Sequence, residues 1–569
     1  MEGVKASYSQ VLSLLEQHAD DPDENPYSSL YEAVNILKDM LHVVETLTES
    51  DGCTLLAKCV INYQIGYSLL DTDLKSDCRQ YFLFCLNEVD DLYLSADWVV
   101  LLVSCLNSLG LHEFNSGVTA EAEKYLHHAC DIYKKYLLQV PDIPQALDAC
   151  LRSSSNPLTA NDETLIKNFE NCHTKSLFYL AQFHQDADHF VSNVLLIFVT
   201  LERQLRFEMD MPSFNRLEWG RNCTLLSDHL INGNRFSEAR HLLAAADQII
   251  LKYHTEDTDR MKQYSADISR HWIKYCNALF SYSISAESEE TVNPKLIDDG
   301  LTFISKLTFG DNLLREKRLR FPSFDDKFFE GKIMSKKIDD FPEARSVFLF
   351  GQSNINRSKD YYDLYSHASD YIDIIQDYSK LFYNLAFFEE DLHRRCQMCK
   401  RRIDMLESLL SELNPQHYLH VCRQLQFEIA QVFSDMVDFK QQLLTKNDGN
   451  RKFLKINQLI SQAIVMYEQF LTSMRDKDGN LPSTYAENYC RPALITHFYL
   501  GRLYGKKLCS GKERISNTEK SLKFYSYLVD FCDKNPEVRA CVLEEYELCA
   551  EMMTLLPGKI KALQSGASL

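Results

Sequence analysis

A small residue recurs in this chain with a fixed spacing. Gly66, Gly110 and Ser227 are each followed twelve residues later by another small residue (Cys78, Ala122, Ala239), sixteen later by an apolar one (Phe82, Leu126, Leu243) and nineteen later by a third small one (Cys85, Ala129, Ala246). The pattern suits two antiparallel helices joined by a turn. Small side chains let the axes approach, and the bulky residue between them fills the groove, as in tetratricopeptide-type repeats. A further unit centres on Leu180-Ala181, but its twelve-on position is Asn193, where a small apolar residue is expected. Arrays of this kind hold partners, so the question becomes what this one holds.

Composition narrows the answer. The 569 residues are 45% hydrophobic and 11% aromatic, ample for a continuous core, while Gly (18) and Pro (14) are sparse. Apolar residues at three-to-four spacing dominate from end to end, which predicts an all-α chain. A formal net charge of −20 opposes binding to nucleic acid or anionic membrane, since both need a basic footprint. A basic partner fits better. Eighteen cysteines, scattered singly inside helical pattern with no charged-then-apolar leader, read as reduced thiols of a cytoplasmic protein. The longest apolar stretches, Trp98–Leu106 and Phe190–Leu201, are too short to span a bilayer.

The chain divides by pattern into N-terminal repeats over 1–284, an acidic loop and linker helix over 285–342, and C-terminal repeats over 343–569. A helix pair at about Tyr8–His18 and Pro26–Leu47 precedes the first repeat. Pro141, Pro144, Ser153–Ser155 and Pro157 mark a long connection near 140–165. A linker helix is expected over Leu296–Arg320. Two later helices repeat the small-residue signal, Ile429-Ala430 with Phe433 and Leu500-Gly501 with Tyr504, and the tail after Pro557 is expected to fray.

In such arrays the first helix of each pair lines the groove, through the residues one after and three before its small residue. Those are Tyr67 and Tyr63, Leu111 and Asn107, Gln182 and Phe178, and Asp228 and Thr224. A carboxylate clamp for a chaperone tail needs Lys, Arg and Asn at successive inward positions, and none assembles here.

Catalytic signatures are missing. Gly501-Arg-Leu-Tyr-Gly505-Lys506-Lys507 only superficially resembles a phosphate loop, because the glycines are one residue too close and no Ser or Thr follows the lysine directly. Cys396-Gln-Met-Cys399 with His417 and His420 supplies four zinc-ligand types, yet the cysteines lie inside helical pattern and the histidines are wrongly spaced for a knuckle. The basic run Arg394, Arg395, Lys400, Arg401, Arg402 reads as a charged helix face pairing with Glu389, Glu390 and Asp391, with a nuclear address as the alternative. No enzyme, metal or cofactor is expected.

The C-terminal half carries more specific sequence. Leu385-Ala-Phe-Phe-Glu389, Arg394-Arg-Cys396, Lys400-Arg-Arg-Ile403, Leu413-Asn-Pro-Gln416 and Gln426-Phe-Glu-Ile-Ala430, with His271-Trp-Ile-Lys-Tyr-Cys276 and Thr200-Leu-Glu-Arg-Gln-Leu205, resemble the KIF-binding protein family, binders of kinesin motor domains. The resemblance implies a right-handed α-solenoid whose two repeat halves are joined by a linker helix. It further implies a monomer that grips the microtubule-binding face of kinesin motors in its concave groove and so controls motor attachment. By matching residues, Tyr179, Gln182, Gln204 and Thr224 are the carried-over motor contacts, and the inward position Asp228 joins them as a candidate. The alternative is a tetratricopeptide-like adaptor or scaffold for another basic or helical partner.

Overall fold

The computed structural model describes the chain except residues 1, 19–20, 23–24, 47–51, 90–93, 153–160, 184–189, 210, 212–213, 253–257, 286–301, 303, 309–318, 323, 325–330, 445–449 and 566–569. Among the described residues it is all-α. Two compact units are present, Met1–Glu256 with Glu289–Phe329 and Asp257–Ser288 with Glu330–Leu569. No described helix is long and apolar enough to cross a membrane.

The first unit holds α1 (Glu2–Gln17), α2 (Ser28–Thr46), α3 (Gly52–Leu70), α4 (Cys78–Asn87), α5 (Val99–Asn115), α6 (Thr119–Gln139), α7 (Asp162–Phe183), α8 (Phe190–Phe207), α9 (Arg216–Asn232) and α10 (Phe236–Lys252). Successive helices pack as pairs, α3 on α4, α5 on α6, α7 on α8 and α9 on α10. The recurring small residues mark where the axes come closest. A Cβ on Gly66 would lie 2.8 Å from the Phe82 ring, and one on Gly110 would lie 2.7 Å from Leu126 Cγ. Sixteen-on partners thus occupy the space the glycines vacate.

The long connection after α6 folds back onto the start of the chain. Leu151 is buried in the core of α1 to α5. Tyr8 donates its hydroxyl to the buried Asp148 at 3.0 Å, and Arg152 Nε donates to the same carboxylate at 2.9 Å. The α1–α2 pair is therefore fixed to a segment some 140 residues on.

The second unit holds α11 (Thr258–Ile284), α12 (Phe341–Lys359), α13 (Ala368–Phe388), α14 (Leu392–Glu412), α15 (Pro415–Gln442), α16 (Asn450–Thr472), α17 (Glu487–Lys506), α18 (Gly511–Lys534) and α19 (Leu543–Gln564). Although the sequence-based boundary falls after residue 284, α11 packs on α12 and α13, with Trp272 edge-on to Phe350 and Asn277 donating to the Asp377 carbonyl at 3.3 Å. The chain passes from one unit to the other at 256–257, and again at 288–289 and 329–330. Most of the expected linker helix lies outside the described residues. Its described part includes helical residues 304–307, where Lys134 caps the turn through the Lys306 carbonyl at 2.8 Å.

Helix ends follow local chemistry. Asp340, Asp391 and Asn414 each accept a first-turn backbone N–H, the ordinary N-cap bond, with Pro342 and Pro415 inside the first turn where no donor is lost. The helix expected to fray after Pro557 continues as α19 to Gln564 with Leu556 buried, and the last four residues lie outside the described ones. One missing N–H there is outweighed by the packing of the helix face.

Gly501 gives a test of the packing. A Cβ there would sit 2.6 Å from the Tyr525 ring, whereas one on Gly505 would meet only Ser521 Oγ at 3.5 Å. Gly to Ala in an open helix stabilises by about 1 kcal/mol, so Gly505→Ala is expected to be neutral or stabilising. Gly501→Ala is expected to cost ~1–3 kcal/mol through overpacking of the buried ring. Denaturant melts should therefore show a loss of stability for Gly501→Ala and none for Gly505→Ala; equal shifts would show that the axes are not held this close.

Candidate partner-binding groove

The groove-facing positions sort into two classes. One residue after each small residue the chain is accessible: Tyr67 is 45% exposed, and Leu111, Gln182 and Asp228 are half-buried. Three before, Tyr63, Asn107 and Thr224 are buried, while Phe178 stays open. Neighbouring helices consume Tyr63 and Asn107. Tyr63 packs against Phe82. Asn107 donates to the Cys172 carbonyl at 2.8 Å and accepts the Ser176 hydroxyl at 2.6 Å. Thr224 donates its hydroxyl to the Arg221 carbonyl at 2.7 Å, so this expected contact residue is packing within α9 and offers no surface to a partner.

Between α7, α8 and α9 the surface opens into a pocket of 420 Å³. Ala181, Asn193, Ile197 and Thr200 all line it, and these are the small residue of the third pair with its twelve-, sixteen- and nineteen-on partners. In the other pairs the corresponding residues are fully buried. Local chemistry accounts for the difference. Ala181 places a methyl where Gly66 and Gly110 have none, Asn193 is polar, and the β-branched Ile197 reaches less far than Phe82 or Leu126. The repeat that breaks the spacing rule is the one that leaves a hole.

The lining is apolar with a polar edge. Phe178 and Leu225, 37% and 48% exposed, stand with Gln182, Gln204 and His229. Gln204, Phe178 and Asn222 also wall an adjoining hollow of 210 Å³. There burial raises the Glu208 carboxyl against the pull of Lys175 and Arg203. Tyr179 faces the other way, and burial with Tyr67 and Asp71 beside it pushes its phenol up to about 12. Of the five candidate residues, Gln182 and Gln204 meet in the pocket, while Tyr179 and Asp228 lie outside its lining and Thr224 is buried. Asn222, Leu225 and His229 were not singled out by the spacing rule. They form a three-to-four stripe along α9, one position off the residues that the Ser227 register points to.

A buried polar knot holds the α7 and α8 walls. Arg203, almost fully buried, forms an ion pair with Glu170, donates through Nε to Thr174 Oγ1 at 3.2 Å and lies 5.6 Å over the Tyr133 ring. Tyr133 donates its hydroxyl to Glu170 at 2.6 Å and stacks on His173 at 3.8 Å. Burial, reinforced by Arg203 and Lys134, holds His173 well below its ordinary pKa and therefore neutral.

The remaining motifs are structural in these surroundings. Cys396 and Cys399 are buried in α14, and burial pushes the Cys399 thiol up to about 12. Gly501 serves the α17–α18 contact, where its carbonyl accepts the Ser521 hydroxyl at 2.7 Å. In the basic run, Arg394 pairs with Glu389 at 3.5 Å, and Arg402 turns inward to Glu428 at 3.1 Å.

Residues 217–563 match the family model described as KIF-1 binding protein C terminal. The KIF-binding protein of Gallus gallus is 33% identical over 98% of this chain and 96% of its own length. That of Homo sapiens is 31% identical over 99% and 94%. The solved structure of kinesin binding protein (KBP) superimposes with a TM-score of 0.64, covering 97% of this chain and 98% of the other at 28% identity. The third repeat's open pocket thus sits in a helical array whose sequence and architecture are those of this group, and the chain belongs to the KIF-binding protein family.

Proposed function

We propose that this chain binds the motor domains of kinesins, receiving the motor's microtubule-binding face in the groove of its first unit and so controlling attachment to microtubules in the cytoplasm. The observation that carries the reading is similarity over nearly the whole length to proteins named KIF-binding protein. The open third pair supports it, because an apolar pocket with amide groups at its edge suits a protruding side chain of a protein partner. The net charge of −20 supports it also. A motor surface shaped to dock on acidic tubulin is basic, and an acidic chain can attract it. The role is binding, with no chemical step.

Titrating a labelled kinesin motor domain with the full chain tests this. Binding is expected, weakening as salt rises because charge steers the encounter, and the Gln182→Ala/Gln204→Ala double variant is expected to lose about 10-fold in affinity with unchanged helicity. Motor domains that fail to bind the unaltered chain at low salt would sink the reading.

A further inference from the structure

The second unit carries a larger hollow that the proposed function does not use. It measures 680 Å³ and is lined from α13, α15 and α17, with Arg402 contributed by α14. Its walls are mostly polar, with three aromatic side chains among them. Tyr383, 56% exposed, stands with Phe427 and Tyr499, and the Arg402 guanidinium lies 5.2 Å from the Tyr383 ring centre. That ring already stacks with one cation.

Charge in the hollow is unevenly matched. Glu428 is committed, accepting Arg402 Nη2 at 3.1 Å and the Ser379 hydroxyl at 2.5 Å. Asp377 accepts the Asn277 amide at 3.3 Å, with Lys380 on the same rim. Asp435 lines the opposite wall, on α15, and the nearby Arg502 pairs at 2.9 Å with Asp438. Burial raises both Asp377 and Asp435 above the ordinary carboxylate range despite the neighbouring cations. Beside them Gln376 Nε2 is buried with no acceptor among the described residues, and a buried donor of that kind is normally satisfied.

We propose that this hollow is a second binding site, which takes an arginine or lysine side chain presented on a peptide segment of a partner protein. The aliphatic stem lies along Tyr383, Phe427 and Tyr499, the cationic head meets Asp377 and Asp435, and Gln376 donates to a backbone carbonyl of the segment. Long cationic side chains are suited to this combination, since their stems bury against rings while their heads keep charged partners. A space of this volume admits the flanking residues as well as the side chain.

The test uses the full chain and a fluorescein-labelled peptide of repeating Ala-Leu-Arg-Ala, with a citrulline version as its neutral isostere. Saturable binding of the arginine peptide is expected, with the citrulline peptide at least ~10-fold weaker because the charge-assisted contacts are lost. Asp377→Asn with Asp435→Asn, checked for unchanged helicity, is expected to weaken the arginine peptide by a similar factor, and Tyr383→Ala by several-fold. Gln204→Ala in the first unit is expected to have no effect. Equal affinity for both peptides, or a loss caused by Gln204→Ala and not by the paired aspartate changes, would overturn the proposal. Neither outcome bears on motor binding by the first unit.

Discussion

Arg203→Ala is expected to destabilise the first unit by about 3–5 kcal/mol, the usual cost of stripping one partner from a buried ion pair. The loss arises because Glu170 stays behind. Its carboxylate is mostly shielded from water, and after truncation the Tyr133 hydroxyl at 2.6 Å is the strong partner that remains. Thr174 loses the Nε donor at the same time. The paired change Arg203→Met with Glu170→Leu removes both charges and keeps the volume, so it is expected to recover most of the loss. Urea denaturation followed by helicity measures this directly. A loss below 1 kcal/mol for the alanine variant would mean that the knot does not hold α7 to α8.

The second large effect concerns the pocket. Ile197→Phe supplies the bulk that Phe82 and Leu126 provide in the intact pairs, and Asn193→Leu adds apolar bulk beside it, both from residues that line the 420 Å³ opening. Filling an existing hole adds apolar contact without forcing the backbone, so thermal stability is expected to hold or rise. Motor binding is expected to fall by ~100-fold, because the partner side chain loses its socket and the Gln182–Gln204 edge is covered. A variant that is both stable and fully competent to bind would remove the pocket from the proposed function.

Much of the fold was legible because helix contact is a local matter. The Gly66–Phe82 and Gly110–Leu126 contacts lie within one helix pair, so a fixed spacing records them. The same spacing returns at Gly505, whose nearest contact, Ser521, is sixteen on. Gly501 lies one turn earlier, so in an antiparallel pair its contact falls one turn later, on Tyr525, twenty-four residues on. Contacts between pairs leave no such record: the burial of Asn107 depends on Cys172 and Ser176 of the next pair, and α11 packs with later helices through side chains some 100 residues away.

The candidate site was half legible for a related reason. Asn193 announced the broken repeat, and Gln182 follows from the register of Ala181. Leu225 and His229 did not, since the pocket's third wall uses a face of α9 turned by one residue from the face its small residue marks. The buried Arg203 carried no local signal, because an arginine near a helix end reads as solvent-facing until Glu170 and Tyr133 are seen beside it.

The open third pair of the first unit is proposed to receive a kinesin motor in place of the microtubule. Co-sedimentation measures it: motor domain, microtubules and increasing amounts of the unaltered chain, beside the same series with the Asn193→Leu/Ile197→Phe variant. The unaltered chain is expected to move the motor from pellet to supernatant while the filled variant leaves it on the polymer. Motor that stays in the pellet with both, or leaves it equally with both, would rule out the open third pair as the motor's site.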